Sequence, residues 1–328
     1  MAANGHRGGC LCGAIRYETV PHDGNAYLCN CHFCQRMTGG PFLVEHCFTK
    51  DQVTILSGRP RVYTHVSAGS GKEVYVHFCG DCGSDLFLTL ERWPETLNIV
   101  TTTLDDPGKV GFDPERLRIL FLKAAQSGTL TPRGYRAYDG HCEPADGSPP
   151  VEHRFDHHVL NDAQTKAKGP HTGGCLCGDV RYAFDGAPEF TVVCHCRSCQ
   201  KTLGSGVNHE LLVDPAAFRV TAGTPRSFRH AGGSGKSVTR RFCGRCGSAL
   251  WLTGDRFDEV GVFRGTLDQP NRVTLTADTA MQIFLDEALP IGMVMAGIDA
   301  YGQHRRAPDG SIRAATVYDH PWRVGEGP

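Results

Sequence analysis

The chain has 328 residues, with 34 Lys and Arg against 35 Asp and Glu and an apolar share of 40%. That length exceeds the needs of one ordinary domain, and a net charge of -1 argues against a nucleic-acid or anionic-membrane surface. No apolar run approaches the ~20 residues of a membrane span. The N-terminus opens directly into a cysteine motif, so the expected setting is cytoplasmic and reducing, where sixteen cysteines are better read as metal ligands than as disulfides.

In chain order, Gly8-Gly-Cys-Leu-Cys-Gly13 comes first and presents Cys10 and Cys12. In an extended chain both thiols face one side, because the strand period is two. Ala14–Tyr17 reads as a strand, and Cys29-Asn-Cys-His-Phe-Cys-Gln35 then presents three thiols, with a helical turn predicted over Cys34 to Thr38. Further strands are predicted at Val53–Leu56, Arg61–Thr64, Glu73–Phe78 and Leu86–Thr89, with turns at Ser57-Gly58 and 68–71. Phe78-Cys-Gly-Asp-Cys-Gly-Ser84 supplies Cys79 and Cys82 in a tight turn. Turns every eight to twelve residues predict antiparallel, mostly β units.

The whole pattern is then written again. Cys10, Cys12, Cys29, Cys31 and Cys34 return as Cys175, Cys177, Cys194, Cys196 and Cys199, an offset of 165. Cys79 and Cys82 return as Cys243 and Cys246, an offset of 164. Other segments match too, among them Thr103-Leu-Asp105 with Thr266-Leu-Asp268 and, near the end, Tyr138 with Tyr301. The division expected is a first unit over 6–139, a linker over 140–170, a second unit over 171–304 and a tail over 305–328. The first part of the linker reads as flexible and proline-bearing, a short helix is predicted near Val159 to Lys168, and Tyr318 and Trp322 are candidate anchors for the tail.

Pairing Cys10 and Cys12 with Cys79 and Cys82, and Cys175 and Cys177 with Cys243 and Cys246, would complete two four-thiolate sites of structural-zinc type. Cys29, Cys31 and Cys34, and likewise Cys194, Cys196 and Cys199, have three sulfurs and no in-register fourth ligand. Three ligands and an open position are what a catalytic zinc requires. His32, His46 or Cys47, and His195 or His209, are the alternatives that would close these sites. Up to four zinc ions per chain are therefore expected, two structural and two candidate catalytic, with Cys47 and Cys142 as ordinary cysteines.

The combined Gly-Gly-Cys-x-Cys-Gly, Cys-x-Cys-x-x-Cys-Gln and Phe-Cys-x-x-Cys-Gly-Ser motifs, present in both copies, resemble the glutathione-dependent formaldehyde-activating enzyme family, also called the CENP-V/GFA domain. The resemblance implies a mostly β fold, a tandem of two Mss4-like zinc-binding β-sheet domains. It also implies a carbon–sulfur lyase activity on glutathione and formaldehyde or a related small aldehyde. The second reading it allows is a non-catalytic zinc scaffold or chromatin-binding module of the CENP-V type. Partners expected are glutathione or another small thiol with a small aldehyde, with no nucleic acid and no membrane. Of the remaining features, Ser70-Gly-Lys72 and Ser234-Gly-Lys236 read as hairpin turns, not phosphate loops. Lys72, Lys236, Arg240 and Arg241 read as solvated strand charge, with the glutathione carboxylates as their alternative partners, Gln35 and Gln200 as turn caps or ligand contacts, and Phe87, Trp251, Phe121 and Phe284 as core.

Overall fold

In the computed structural model, which describes residues 5–22 and 24–328, short strands carry most of the regular structure. The first unit runs β1 (Arg7–Gly9), β2 (Arg16–Thr19), β3 (Ala26–Cys29), α1 (His32–Thr38), β4 (Leu43–Thr49), β5 (Val53–Ser57) and β6 (Arg61–Val66). It continues through β7 (Glu73–Phe78), β8 (Asp85–Leu90), β9 (Trp93–Val100), β10 (Leu117–Leu120), β11 (Leu130–Thr131) and β12 (Arg136–Tyr138). Two short strands follow, β13 (Glu152–His153) and β14 (Val159–Leu160). The second unit runs β15 (His171–Gly174), β16 (Arg181–Phe184), β17 (Phe190–Cys194), α2 (Arg197–Leu203), β18 (Asn208–Val213) and β19 (Phe218–Ala222). Then come β20 (Arg226–Ala231), β21 (Ser237–Phe242), β22 (Ala249–Gly254), β23 (Phe257–Phe263), β24 (Ala280–Ile283), β25 (Met293–Val294) and β26 (Trp322–Arg323).

The sequence repeat is a repeat of topology. A small sheet β1-β2-β5 matches β15-β16-β19, and the order β6-β7-β8-β9-β4-β3-β10 in the large sheet matches β20-β21-β22-β23-β18-β17-β24. The first large sheet adds β12 and β13 beyond β10. Strands β4 and β8 are near-continuous buried runs, as expected of strands covered on both faces. Edge strands β6 and β20 instead alternate, turning Tyr63 and His65, or Phe228 and His230, inward.

Three expectations need correction. The sheets are not purely antiparallel, because β3 pairs in parallel with β10, β10 with β12, and β17 with β24. Turn rhythm reports neighbouring hairpins and is blind to a strand that returns after a long excursion. The predicted helix near Val159 to Lys168 does not form. Val159–Leu160 pairs with Leu130–Thr131, and 161–170 has no regular structure. Nor is the segment before it loose, since Glu152–His153 extends the first large sheet against β12. The tail is tied by β26 against β25, by a bridge between Ala300 and Thr316, and by the Tyr318 and Trp322 rings, 5.2 Å apart.

The two units grip each other reciprocally. Arg36 Nη2 on α1 donates to Asp268 Oδ1 at 2.8 Å, and its counterpart Lys201 on α2 reaches Asp105 Oδ1 at 3.3 Å. Tyr63 packs on the second unit's core, and Phe228 packs on the first's. Between them the C-terminal cap of α1 meets the 3-10 turn Arg264–Thr266 that follows β23: Gly265 N donates to Gly39 O at 2.9 Å. Gly39 needs to be glycine twice over, for its φ of 81° as the helix cap and because a Cβ would lie 2.7 Å from Ala249 O.

Asp268 also accepts bonds from Arg181 and Thr172. Burial pushes its carboxyl up, but the bonds from Arg181, Thr172 and Arg36 outweigh this and hold it well below the usual carboxylate range. A depressed folded value contributes stability above the unfolded value and loses it as pH falls through the folded one. Asp268→Asn should therefore cost about 1 kcal/mol at neutral pH. In urea titrations against the parent that deficit should be full above about pH 4 and close only as pH falls further. A deficit independent of pH would assign the effect to packing.

Candidate metal centres

Each four-thiol cluster joins the end of a first strand to a late turn. Cys10 and Cys12 follow β1, while Cys79 and Cys82 follow β7, where Gly83 takes a φ of 79°. The Cys10 and Cys12 sulfurs lie 3.4 Å apart, and those of Cys12 and Cys79 lie 3.7 Å apart. In the second unit, Cys175 and Cys177 lie 3.4 Å apart, and Cys177 and Cys243 lie 3.6 Å apart. With Cys82 and Cys246 included, the sulfurs of each group lie within 4.8 Å of one another. A tetrahedron with Zn–S of about 2.3 Å has S···S edges of about 3.8 Å, so the donor set fits zinc. All sixteen cysteines are free thiols.

Local backbone explains the gathering. Ile15 N donates to Cys10 Sγ at 3.3 Å and Val180 N to Cys175 Sγ at 3.2 Å. The serine after each Cys-x-x-Cys-Gly closes the turn: Ser84 Oγ accepts from Leu11 N at 3.1 Å, and Ser248 Oγ from Leu176 N at 3.0 Å. The thiols cannot all ionise together. Bonds from Cys79 and Cys82 hold Cys10 well below the usual thiol range, whereas burial pushes Cys12 up to about 12. A divalent cation would remove that conflict and release the retained protons.

The three-thiol clusters are built differently. Cys29 ends β3, Cys31 caps the N-terminus of α1, and Cys34 sits in its first turn, with its N–H donating to Cys31 Sγ at 3.4 Å. Cys194, Cys196 and Cys199 repeat this on β17 and α2, again with a 3.4 Å bond from Cys199 N to Cys196 Sγ. The sulfurs of each trio lie within 4.8 Å of one another. Bonds from Cys29 and Cys34 hold Cys31 well below the usual range, and its bond to Cys31, together with burial, drives Cys29 up.

Among the described residues, no imidazole or carboxylate joins either trio. His32 is exposed. His46 is bonded at both nitrogens, to Thr101 Oγ1 at 2.7 Å and Gly111 O at 2.9 Å. His195 and His209 line a cavity with Phe42, Val207 and Met295 at the junction of the units. Cys47 is not grouped with the trio either, while Cys142 packs against the same cluster as Cys29 and Cys34.

Several residues at the trios carry no mark in the sequence motifs. Phe121 and Phe284 are the only described non-glycine residues with positive φ, at 57° and 61°. They occupy equivalent positions, and each packs against its trio's cluster instead of the central core. Each also meets a matched imidazole, with centroids 6.2 Å apart for Phe121 and His141 and 6.0 Å for Phe284 and His304. His141 stacks on Trp93 at 5.5 Å, and His65 faces Phe33 at 4.8 Å. Both imidazoles lie close enough to Cys31 to feel its charge, although burial holds both below the usual histidine value. The available signal is the repeat, since His65 aligns with His230 and His141 with His304.

Two readings of charge and polarity change. Arg240 is not solvated: it is 2% exposed and donates to Ser198 Oγ at 3.1 Å beside Cys199. Gln35 faces no vacancy, since its Nε2 donates to Asn30 O at 2.5 Å and Ala124 O at 2.7 Å. Gln200 does the same with His195 O at 2.5 Å and Glu287 O at 2.8 Å, so both glutamines brace the helices. Lys72 pairs with Glu91 at 2.7 Å, and the turns at 67–72 and 232–236 are closed by backbone bonds of 2.9 and 2.8 Å.

The model of the glutathione-dependent formaldehyde-activating enzyme family matches residues 5–120 and again residues 170–287. A Halomonas elongata protein named as a putative glutathione-dependent formaldehyde-activating enzyme is 27% identical over 116 residues, covering 34% of this chain and 73% of its own length. A crystal structure of a Rhodobacter sphaeroides protein overlaps 33% of this chain and 92% of its own, at 22% identity and a TM-score of 0.26. With both matched regions carrying the same thiol geometry, and together spanning most of its length, the chain belongs to the glutathione-dependent formaldehyde-activating enzyme family.

Proposed function

We propose that the chain is a zinc-dependent enzyme of the carbon–sulfur lyase class that joins the thiol of glutathione to formaldehyde or a related small aldehyde. The observation that carries this reading is the trio Cys29, Cys31 and Cys34, which has no fourth protein ligand among the described residues and leaves Cys31 half-exposed. Family membership supports the substrate pair. The three thiols would hold zinc, and when bound it supplies Lewis acidity and favours thiolate over thiol.

In the addition, one S–C bond forms, the carbonyl π pair moves to oxygen, and the thiol proton ends on that oxygen. The residues around Cys31 suit those needs. Phe33, Phe121 and Trp93 offer apolar walls that limit water around a small carbonyl, and His65 and His141 are placed to carry the proton. Two four-thiol clusters, Cys10/Cys12/Cys79/Cys82 and Cys175/Cys177/Cys243/Cys246, would hold structural zinc, giving up to four ions per chain with the trios.

Purified zinc-loaded protein should form the S-hydroxymethyl adduct from glutathione and formaldehyde faster than the spontaneous reaction, as followed by NMR. Cys31→Ser should return the rate to the spontaneous one. Protein with full zinc content and no acceleration would remove this reaction. Elemental analysis near two zinc ions per chain would remove the trios from the metal assignment.

A further inference from the structure

The two trios share a scaffold but not a setting. In the second unit, Arg240 on β21 sends Nη2 to within 3.8 Å of Cys199 Sγ. Its Nε donates to His230 Nε2 at 2.7 Å, which fixes the guanidinium in place. Asn208 Nδ2 approaches the same sulfur at 3.9 Å and donates to Glu210 Oε2 at 3.2 Å. All three cysteines there are buried.

The hairpin loop between β20 and β21 completes the enclosure. Gly233 lies so close that a Cβ on it would meet Cys196 Cβ at 2.8 Å and Cys196 Sγ at 3.1 Å. Only a glycine lets the loop rest on the cluster.

The first unit replaces each of these features. By the repeat register, Arg240 corresponds to Val76 and Asn208 to Leu43; the loop keeps its glycine, Gly69 matching Gly233 when the loops are aligned at Ser70 and Ser234, but is one residue longer in the first unit. A Cβ on Gly69 would find nothing within 4 Å, so the equivalent loop stands clear. Cys31 is half-exposed where Cys196 is buried. Glu45 stands where Glu210 does and is equally buried, so the carboxylate is common to both settings.

Three thiolates around a divalent cation leave one surplus negative charge. A buried guanidinium cancels it, and donors to a thiolate sulfur lower its tendency to leave the cation or attack an electrophile. An apolar wall does neither. We infer that the two trios have separate roles, the first exchanging its fourth ligand with small thiols in solution and the second forming a closed site whose metal is retained, with Arg240 and Asn208 as its positioning residues. The fourth-ligand chemistry of the first trio rests on the proposed function. The retention of the second does not.

The test uses the full zinc-loaded chain, a colorimetric zinc chelator and N-ethylmaleimide, with labelled peptides quantified by mass spectrometry. The peptide carrying Cys31 and Cys34 should react at least about tenfold faster than that carrying Cys196 and Cys199, the scale of one charge-assisted hydrogen bond. Zinc release to the chelator should be biphasic, and in that assay, run without the maleimide that glutathione would consume, millimolar glutathione should change the fast phase only. Arg240→Val, the first unit's own residue, should bring the second peptide to within about threefold of the first, and Arg240→Lys, which keeps the charge but not the fork, should keep only part of the difference. Equal rates for the two peptides in the unsubstituted protein would overturn the inference, and that comparison needs no variant to fold. An unchanged slow phase in folded Arg240→Val would overturn the role of Arg240. Unequal rates in a protein that does not accelerate adduct formation would sink the reaction and leave this division standing.

Discussion

Replacing Cys79 and Cys82 together by serine should unfold the first unit. Structural zinc in small sites contributes on the order of 10 kcal/mol to folding. A whole domain is stable by only about 5–15 kcal/mol. The cluster sits within the core of its unit, where Cys10, Cys79 and Cys82 pack with Tyr17, Phe87 and Ile99. Its loss therefore removes both the tie between β1 and the turn after β7 and the packing around it. Zinc content should fall by at least one ion per chain, and thermal unfolding should begin well below that of the parent. Phe228 of the second unit rests on this same core, so the upper transition should fall as well. A double variant with the parent's melting temperature and unchanged zinc content would show that these thiols do not carry a structural ion.

Arg264→Met should be the most damaging single change away from the thiols, lowering stability by about 3–5 kcal/mol, the cost of stripping partners from a buried polar network. Arg264 is fully buried, and burial lowers its guanidinium to about 9, so it remains charged at neutral pH. Its Nη1 donates to Ser127 O at 2.8 Å, and its Nη2 donates to Ser127 Oγ at 2.8 Å and Val273 O at 2.6 Å. Its Nε donates to Pro270 O at 3.0 Å. Methionine fills much of the volume but leaves three carbonyls without these donors in the interior. Because Ser127 belongs to the first unit, the loss falls on the junction as well as on the second unit's core. Urea titration should show a lower midpoint with little change in slope. Arg264→Lys should recover less than half, because one ammonium cannot reproduce the guanidinium's fork. A loss below about 1 kcal/mol would mean that water replaces the guanidinium at little cost.

What can be read from the sequence follows from how local each signal is. The glycine turn of Cys79-Gly-Asp-Cys82 is legible from its own spacing, but Cys10-Leu-Cys12 gathers its thiols in a turn after β1, closed by Gly13 N donating to Cys10 O, and not along an extended strand as its spacing suggests. The repeat offset doubles that signal, and β6 to β8 are readable from alternation and turns. Strand β10 is not, because its parallel pairing with β3 depends on a chain return that no short window reports. Arg240 escapes for a related reason. In Ser237-Val-Thr-Arg-Arg-Phe242 two adjacent arginines face opposite sides of β21, and sequence alone does not say which side is covered. Phe121 looks like core until its positive φ and its place beside Cys29 and Cys34 are known.

The paired contacts Arg36–Asp268 and Lys201–Asp105 are those of two like molecules facing each other, here held on one chain. Two separate copies encoded by a single gene could never differ at matched positions, because every substitution would appear on both sides at once. Joining them end to end lifts that restriction. Val76 and Arg240, or Leu43 and Asn208, can then change one at a time while the facing surfaces keep their mutual fit. Fusion thus supplies more than proximity: it gives each half a private history. A single half expressed alone and made to self-associate would be forced back to two identical sites, whichever half were chosen.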